Sequence, residues 1–126
     1  MWLRPCDSKD KDFGLFGATD VTTGRVVWRI KVPQPTKSGL LVAGDLLFFG
    51  ESNGRFHAVN ARTGAVLWSY NGSRVPRTGG ASAAPVAFVT GRREFIVNAF
   101  GGNSADAGHF PPNGVGDAVI AFALPQ

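Results

Sequence analysis

The chain has 126 residues, room for one core, and its 44% hydrophobic and 17% charged content excludes a disordered polypeptide. Its net charge is +4, but the cations are scattered from Arg25 through Lys31 and Arg55 to Arg74, with only Arg92-Arg93 adjacent, which argues against a nucleic-acid surface. Cys6 is alone, so no internal disulfide can form; no apolar run approaches the ~20 residues of a membrane span, and Met1-Trp-Leu-Arg-Pro5 is too short to open a signal peptide.

Residues 1–12 are mixed and charged and read as a lead-in, leaving 13–126 as a single domain-like unit. The 17 Gly and 8 Pro suit short strands separated by many turns. Phe13 to Asp20 and Arg25 to Val32 are expected strands around a tight turn. Val32-Pro-Gln-Pro-Thr-Lys-Ser-Gly39 is a connector, because its prolines remove ladder donors. Gly39 to Ala43 is apolar enough to predict an inner strand buried on both faces. Leu46 to Gly50, Arg55 to Asn60 and Ala65 to Tyr70 follow as strands, separated by Gly44-Asp45, Ser52-Asn-Gly54 and the Asn60 to Gly64 turn. After a Gly/Arg/Pro connector, Ala81 to Val89 and Arg93 to Ala99 form a further hairpin. A loop over 100–116 leads to a last strand, Asp117 to Leu124.

One stretch occurs twice, forty residues apart. Ala18-Thr-Asp-Val-Thr-Thr-Gly-Arg-Val-Val-Trp28 and Ala58-Val-Asn-Ala-Arg-Thr-Gly-Ala-Val-Leu-Trp68 share Ala, Asp or Asn, Thr, Gly and Trp in register. A period of this length marks a blade or solenoid architecture. Asp20 and Asn60 can close a turn by accepting from backbone N–H groups ahead of them, and Gly24 and Gly64 supply the positive φ of a tight hairpin. The β-prone residues after each turn leave as strands. Trp28 and Trp68 are placed to pack on the neighbouring unit, so Trp68 is expected to be buried between units. The predicted fold is all-β: a propeller fragment with the end of one blade, one whole four-stranded blade and three strands of another.

The Ala-x-Asp-x-x-Thr-Gly-x-x-x-Trp pattern resembles the tryptophan-docking motif of the quinoprotein dehydrogenases. These are eight-bladed propellers that bind pyrroloquinoline quinone (PQQ) and calcium and oxidise alcohols or sugars. The resemblance extends from Phe13 onward through Pro33-Gln-Pro35, Ala43-Gly-Asp-Leu-Leu-Phe-Phe-Gly50, Asn53-Gly-Arg-Phe-His-Ala-Val-Asn60, Ala84-Pro85 and Gly116-Asp-Ala-Val-Ile-Ala-Phe-Ala-Leu-Pro125. The ending is most similar to the glucose dehydrogenase branch. The resemblance implies a periplasmic oxidoreductase acting on a small alcohol or sugar, with this chain as its C-terminal segment. It also implies that the last blade is completed by a strand from elsewhere, so that the unpaired edge of 117–124 seeks the missing blades or another copy.

Carried over residue by residue, the resemblance implies little chemistry within this chain. The family's calcium ligands and catalytic Asp belong to earlier blades, so no catalytic or metal-ligating residue is assigned and neither PQQ nor calcium is expected to be held by this chain alone. By position, the cofactor side would receive Lys37, from Thr36-Lys37-Ser38 where many members place a Trp, and Gly101, Gly102 and Asn103 from the Gly-rich loop. That loop also carries Ser104, Asp106 and His109. His57 alternates with Phe56 and reads as an ordinary strand residue, and no Ser-His-Asp set stands out. The alternative function is a noncatalytic propeller-repeat scaffold or binding module, as in outer-membrane assembly factors with similar repeats, since one fold hosts both.

Overall fold

The computed structural model describes residues 13–34, 36–102 and 115–123, which form three antiparallel sheets. The first pairs β1 (Gly14–Thr19) with β2 (Val26–Val32). The second runs in sequence order through β3 (Leu41–Ala43), β4 (Leu46–Gly50), β5 (Arg55–Asn60) and β6 (Val66–Asn71). The third contains β7 (Val86–Thr90), β8 (Arg93–Gly102) and β9 (Val115–Ala123). The two, four, three division is the one the sequence predicts, and each sheet is a simple meander of the kind that makes a propeller blade.

The second sheet lies between the other two, and its inner strands β4 and β5 are buried on both faces. Phe49 and Val59 pack with Val32 of the first sheet, joined by Phe16, Ile30 and Leu47. On the other face Phe48, Phe56 and Ala58 pack with Ala81, Ile96 and Phe100. Period-2 alternation sends successive residues of β5 to opposite cores. The fully buried Phe56 ring lies 5.5 Å from Phe122 and 6.1 Å from Phe100, which fixes how the third sheet sits against the second.

The repeated turn is built identically in both copies. Asp20 Oδ1 accepts from Thr22 N–H at 2.8 Å and Thr23 N–H at 3.0 Å; Asn60 Oδ1 accepts from Arg62 N–H at 2.9 Å and Thr63 N–H at 3.0 Å. Thr23 and Thr63 accept from Arg25 and Ala65 N–H, each at 3.3 Å. Gly24 and Gly64 hold φ of 70° and 74°, a region that costs other residues steric strain. Even the strand irregularity repeats, at Ala18/Thr19 and at Ala58/Val59.

Four expectations need correction. Val42, expected in a strand buried on both faces, is 60% exposed, because no strand of the first sheet among the described residues reaches beside β3. The strand expected from Ala81 begins at Val86. Residues 81–85 instead cross the end of the second sheet, where Ala81 N–H donates to Glu51 O at 3.0 Å. Phe100 to Gly102 and Val115-Gly116 belong to strands β8 and β9 and not to a loop, with Phe100 paired to Ala118 and Gly102 to Val115 across an irregularity. Trp68 is 41% exposed instead of buried between units.

The two tryptophans explain that last difference. Trp28 lies over the second sheet's turn: a Cβ on Gly64 would fall 2.7 Å from its ring, and its Nε1–H donates to Ala61 O at 3.0 Å. Among the described residues, no turn of that kind follows β9. Trp68 therefore lies edge-on to Phe122 at 5.1 Å and stacked on Tyr70, with one side open.

Candidate functional site

Connectors and hairpin loops meet at one end of the three sheets, and a chain of backbone contacts joins the expected cofactor-side segments there. Gly50 N–H donates to Ser38 Oγ at 2.9 Å, which ties the Lys37 segment to the end of β4. Ala81 N–H donates to Glu51 O, and Gly102 N–H donates to Gly80 O at 2.9 Å. Lys37 and the Gly101-Gly102 pair thus occupy the same end of the molecule, all half-buried. Glycines are needed where backbones approach this closely: a Cβ on Gly116 would fall 2.2 Å from Gly79 N, and one on Gly50 would fall 2.1 Å from Ala81 O. Asn103, Ser104, Asp106 and His109 lie outside the described residues.

Arg77 fastens this end. Its guanidinium donates through Nε to Asp117 Oδ1 at 2.8 Å and through a second nitrogen to Oδ2, while Asp117 N–H donates to Arg77 O at 2.9 Å. A two-point fork of this kind fixes orientation as well as charge. The hydrogen bond from Arg77 holds the Asp117 carboxyl below the usual carboxylate range, against a smaller opposing effect of desolvation.

The same end offers a quinone cofactor a few polar groups. Lys37 could meet a carboxylate of such a group, and the hydroxyl oxygens of Ser52 and Ser82 are buried there with no hydrogen-bond partner. These groups fit one wall of a cofactor site, not an enclosure. Among the described residues no three His, Cys, Asp or Glu side chains converge as a cation site requires. A cavity of about 990 Å³ lies at the opposite end, between Trp68, Leu46 and Phe122 and the Arg92-Arg93 hairpin.

One constellation does not stand out in the sequence. His57 is not an ordinary strand residue: its Nε2 lies 2.6 Å from Glu51 Oε1 and its Nδ1 lies 2.7 Å from Ser69 Oγ. A Ser-His-Glu line is therefore present where no Ser-His-Asp set was apparent. The signal was available, because a turn that places Ala58 opposite Trp68 also places His57 opposite Ser69.

Residues 10–106 match the family model described as outer membrane protein assembly factor BamB. The chain is 30% identical over 145 residues to the quinoprotein glucose dehydrogenase of Gluconobacter oxydans, covering 97% of this chain and 16% of that enzyme. It is 32% identical over 127 residues to the lanthanide-dependent methanol dehydrogenase of Methylacidiphilum fumariolicum, covering 92% of this chain and 20% of that one. A solved europium-containing methanol dehydrogenase superposes with a TM-score of 0.77 at 27% identity, over 94% of this chain and 24% of the other. The chain thus spans a fifth or less of the length of these two curated relatives. With the repeated turn, the stacked meanders and these matches in agreement, the chain belongs to the PQQ-type β-propeller family of the quinoprotein dehydrogenases.

Proposed function

We propose that the chain is the C-terminal propeller segment of a PQQ-dependent alcohol or sugar dehydrogenase, a periplasmic oxidoreductase, with residues 13–126 as one partial domain. The observation that carries this reading is the agreement between the two, four, three sheet order and an alignment that uses nearly all of this chain but only 16% of a quinoprotein glucose dehydrogenase. The remaining blades, from the same or another polypeptide, would pair with the β9 edge and set a turn beneath Trp68. In such a ring Lys37, Gly101, Gly102 and Asn103 would line the cofactor side, and blades outside this chain would hold calcium or a lanthanide. When bound, PQQ would accept the reducing equivalents from a small alcohol or sugar; this chain's part is to shape and close one wall.

The scaffold reading draws its support from the family model's description as an assembly factor. A chimera separates the two. In it, this chain replaces the matching segment of the Gluconobacter enzyme, and quinone content and dye reduction with glucose are measured. The dehydrogenase reading expects a folded chimera that retains quinone; a folded chimera that holds none contradicts it. Titrating this chain by itself with PQQ and calcium should give no saturable binding at micromolar quinone and no turnover.

A further inference from the structure

The line Ser69, His57, Glu51 is not something the repeat requires. Forty residues earlier the positions of His57 and Ser69 are taken by Gly17 and Arg29. Glu51 is 1% exposed and His57 is 7% exposed, whereas Ser69 lies open on β6, the last strand of its sheet. We propose that Ser69 is an activated nucleophile and that the site takes small activated acyl or phosphonyl esters, with His57 as base and Glu51 as the group that positions the imidazole. This inference is independent of the dehydrogenase reading.

The geometry supplies each part. In the neutral imidazole the proton on Nε2 donates to Glu51 Oε1, which leaves the Nδ1 lone pair to accept from the Ser69 hydroxyl. The ring is used in the reverse sense from the commonest hydrolase arrangement, but either nitrogen's lone pair can take the proton. Glu51 is held in turn: Asn53 Nδ2 donates to its Oε2 at 3.3 Å, and its backbone is pinned by Gly54 N–H and Arg55 O. The Phe49 ring, 5.0 Å from the imidazole, limits its rotation. His57 and Ser69 face each other across β5 and β6. Gly72 N–H donates to Gly54 O, so the alternation of the antiparallel ladder makes 57–69 a pair that exchanges no backbone bond and turns Ser69 N–H toward the outer edge of the sheet. That N–H, facing away from β5, is the donor the proposal assigns to the developing oxyanion.

The chemistry balances without a further reagent. Ser69 Oγ bonds to the carbonyl carbon while its proton passes to His57 Nδ1. Collapse breaks the bond to the leaving alcohol, which takes that proton, and an acyl-serine remains. Water, deprotonated by Nδ1, then attacks the acyl carbon and releases the acid, and the proton returns to Ser69 Oγ. With a phosphonyl fluoride the first step releases fluoride and the adduct is stable.

The test is to incubate the full chain with a fluorophosphonate probe and, separately, with p-nitrophenyl acetate, and to locate adducts by mass spectrometry. We expect one adduct, on the peptide containing Ser69, and a p-nitrophenol burst. Ser69→Ala should abolish both. His57→Gln should slow labelling by ~100-fold or more, the usual scale of a general base. Glu51→Gln should slow it by about 10-fold at unchanged circular dichroism, an effect that a merely structural role would not produce. Absence of an adduct in the wild-type chain overturns the proposal. So does labelling that persists in Ser69→Ala, an exposed position where the substitution leaves the core intact, or labelling unchanged in folded His57→Gln.

Discussion

The two spaces between the three sheets are made from the same repeat, yet they differ. Between the first and second sheets, Trp28 rests on the Gly64 turn and donates to Ala61 O. Between the second and third, the core at Phe56 and Phe100 is more extensive, but the opposite end opens into a cavity beside a 41%-exposed Trp68. A tryptophan at this repeat position is thus covered further by its neighbour's turn than by the rings of its own sheet. Trp28, seated on the Gly64 turn, is half-buried, whereas Trp68, packed on Phe56 and Tyr70, stays exposed. Sheet-to-sheet adhesion therefore has two separable parts, an aromatic core near the connectors and a ring-on-turn contact at the far end.

The largest effect should come from removing the first part. Phe56 is fully buried and touches the rings of Phe48, Trp68, Phe100 and Phe122. Phe56→Ala should cost about 3–5 kcal/mol in urea unfolding, the range for truncating a core aromatic. A cost under about 1 kcal/mol would show that the second and third sheets do not adhere through this cluster.

The second part is probed by a matched pair of glycines. Gly24 and Gly64 share the repeat position and a positive φ, but a Cβ on Gly24 would meet nothing within 4 Å, whereas one on Gly64 would strike the Trp28 ring at 2.7 Å. Gly24→Ala should cost only the backbone strain, ~1–2 kcal/mol. Gly64→Ala should add about 1–3 kcal/mol for displacing the ring. Equal costs, measured by the same denaturation, would show that Trp28 does not rest on the Gly64 turn.

The smallest effect concerns the turn acceptor. Hydrogen bonds from Thr23 N–H and then Thr22 N–H hold the Asp20 carboxyl below its ordinary range. A depressed folded pKa means stability that is present above the unfolded value of ~3.9 and lost as pH falls through the folded value. Asn60 shows that an amide can occupy this position without titrating. The advantage in Tm of the wild-type chain over Asp20→Asn should therefore shrink on acidification from about pH 5 to about pH 3. A difference that stays constant or grows would refute the assignment.

What was legible in the sequence was what local chemistry decides. Asx, Thr and Gly at fixed offsets specify a turn whatever surrounds it, so both turns and the bounds of β4 and β5 could be read directly. Burial was less legible where it depends on a neighbouring sheet, as Val42 and Trp68 show. Glycine misled at 100–102 and 116: a Gly-rich run reads as loop, yet here glycine lets strands β8 and β9 and the 72–80 connector approach to contact, with Gly79 N–H donating to Phe100 O of β8 at 2.6 Å and Gly116 of β9 packed against Gly79. The cofactor-side placement of Lys37 and Gly101-Gly102 came from the resemblance and its positions, not from the chemistry of the residues themselves. The Glu51, His57, Ser69 line came from neither, because it joins three strands' worth of register that the residues show only after the turn has been used to pair them.

Unfolding Trp28→Ala and Trp68→Ala side by side in urea compares the closed and the open interface within one molecule. Trp28→Ala should cost about 3 kcal/mol or more, and Trp68→Ala about half as much, since one side of its ring already meets solvent. Equal losses, or a larger loss at Trp68, would contradict an interface closed on one side of the second sheet and open on the other.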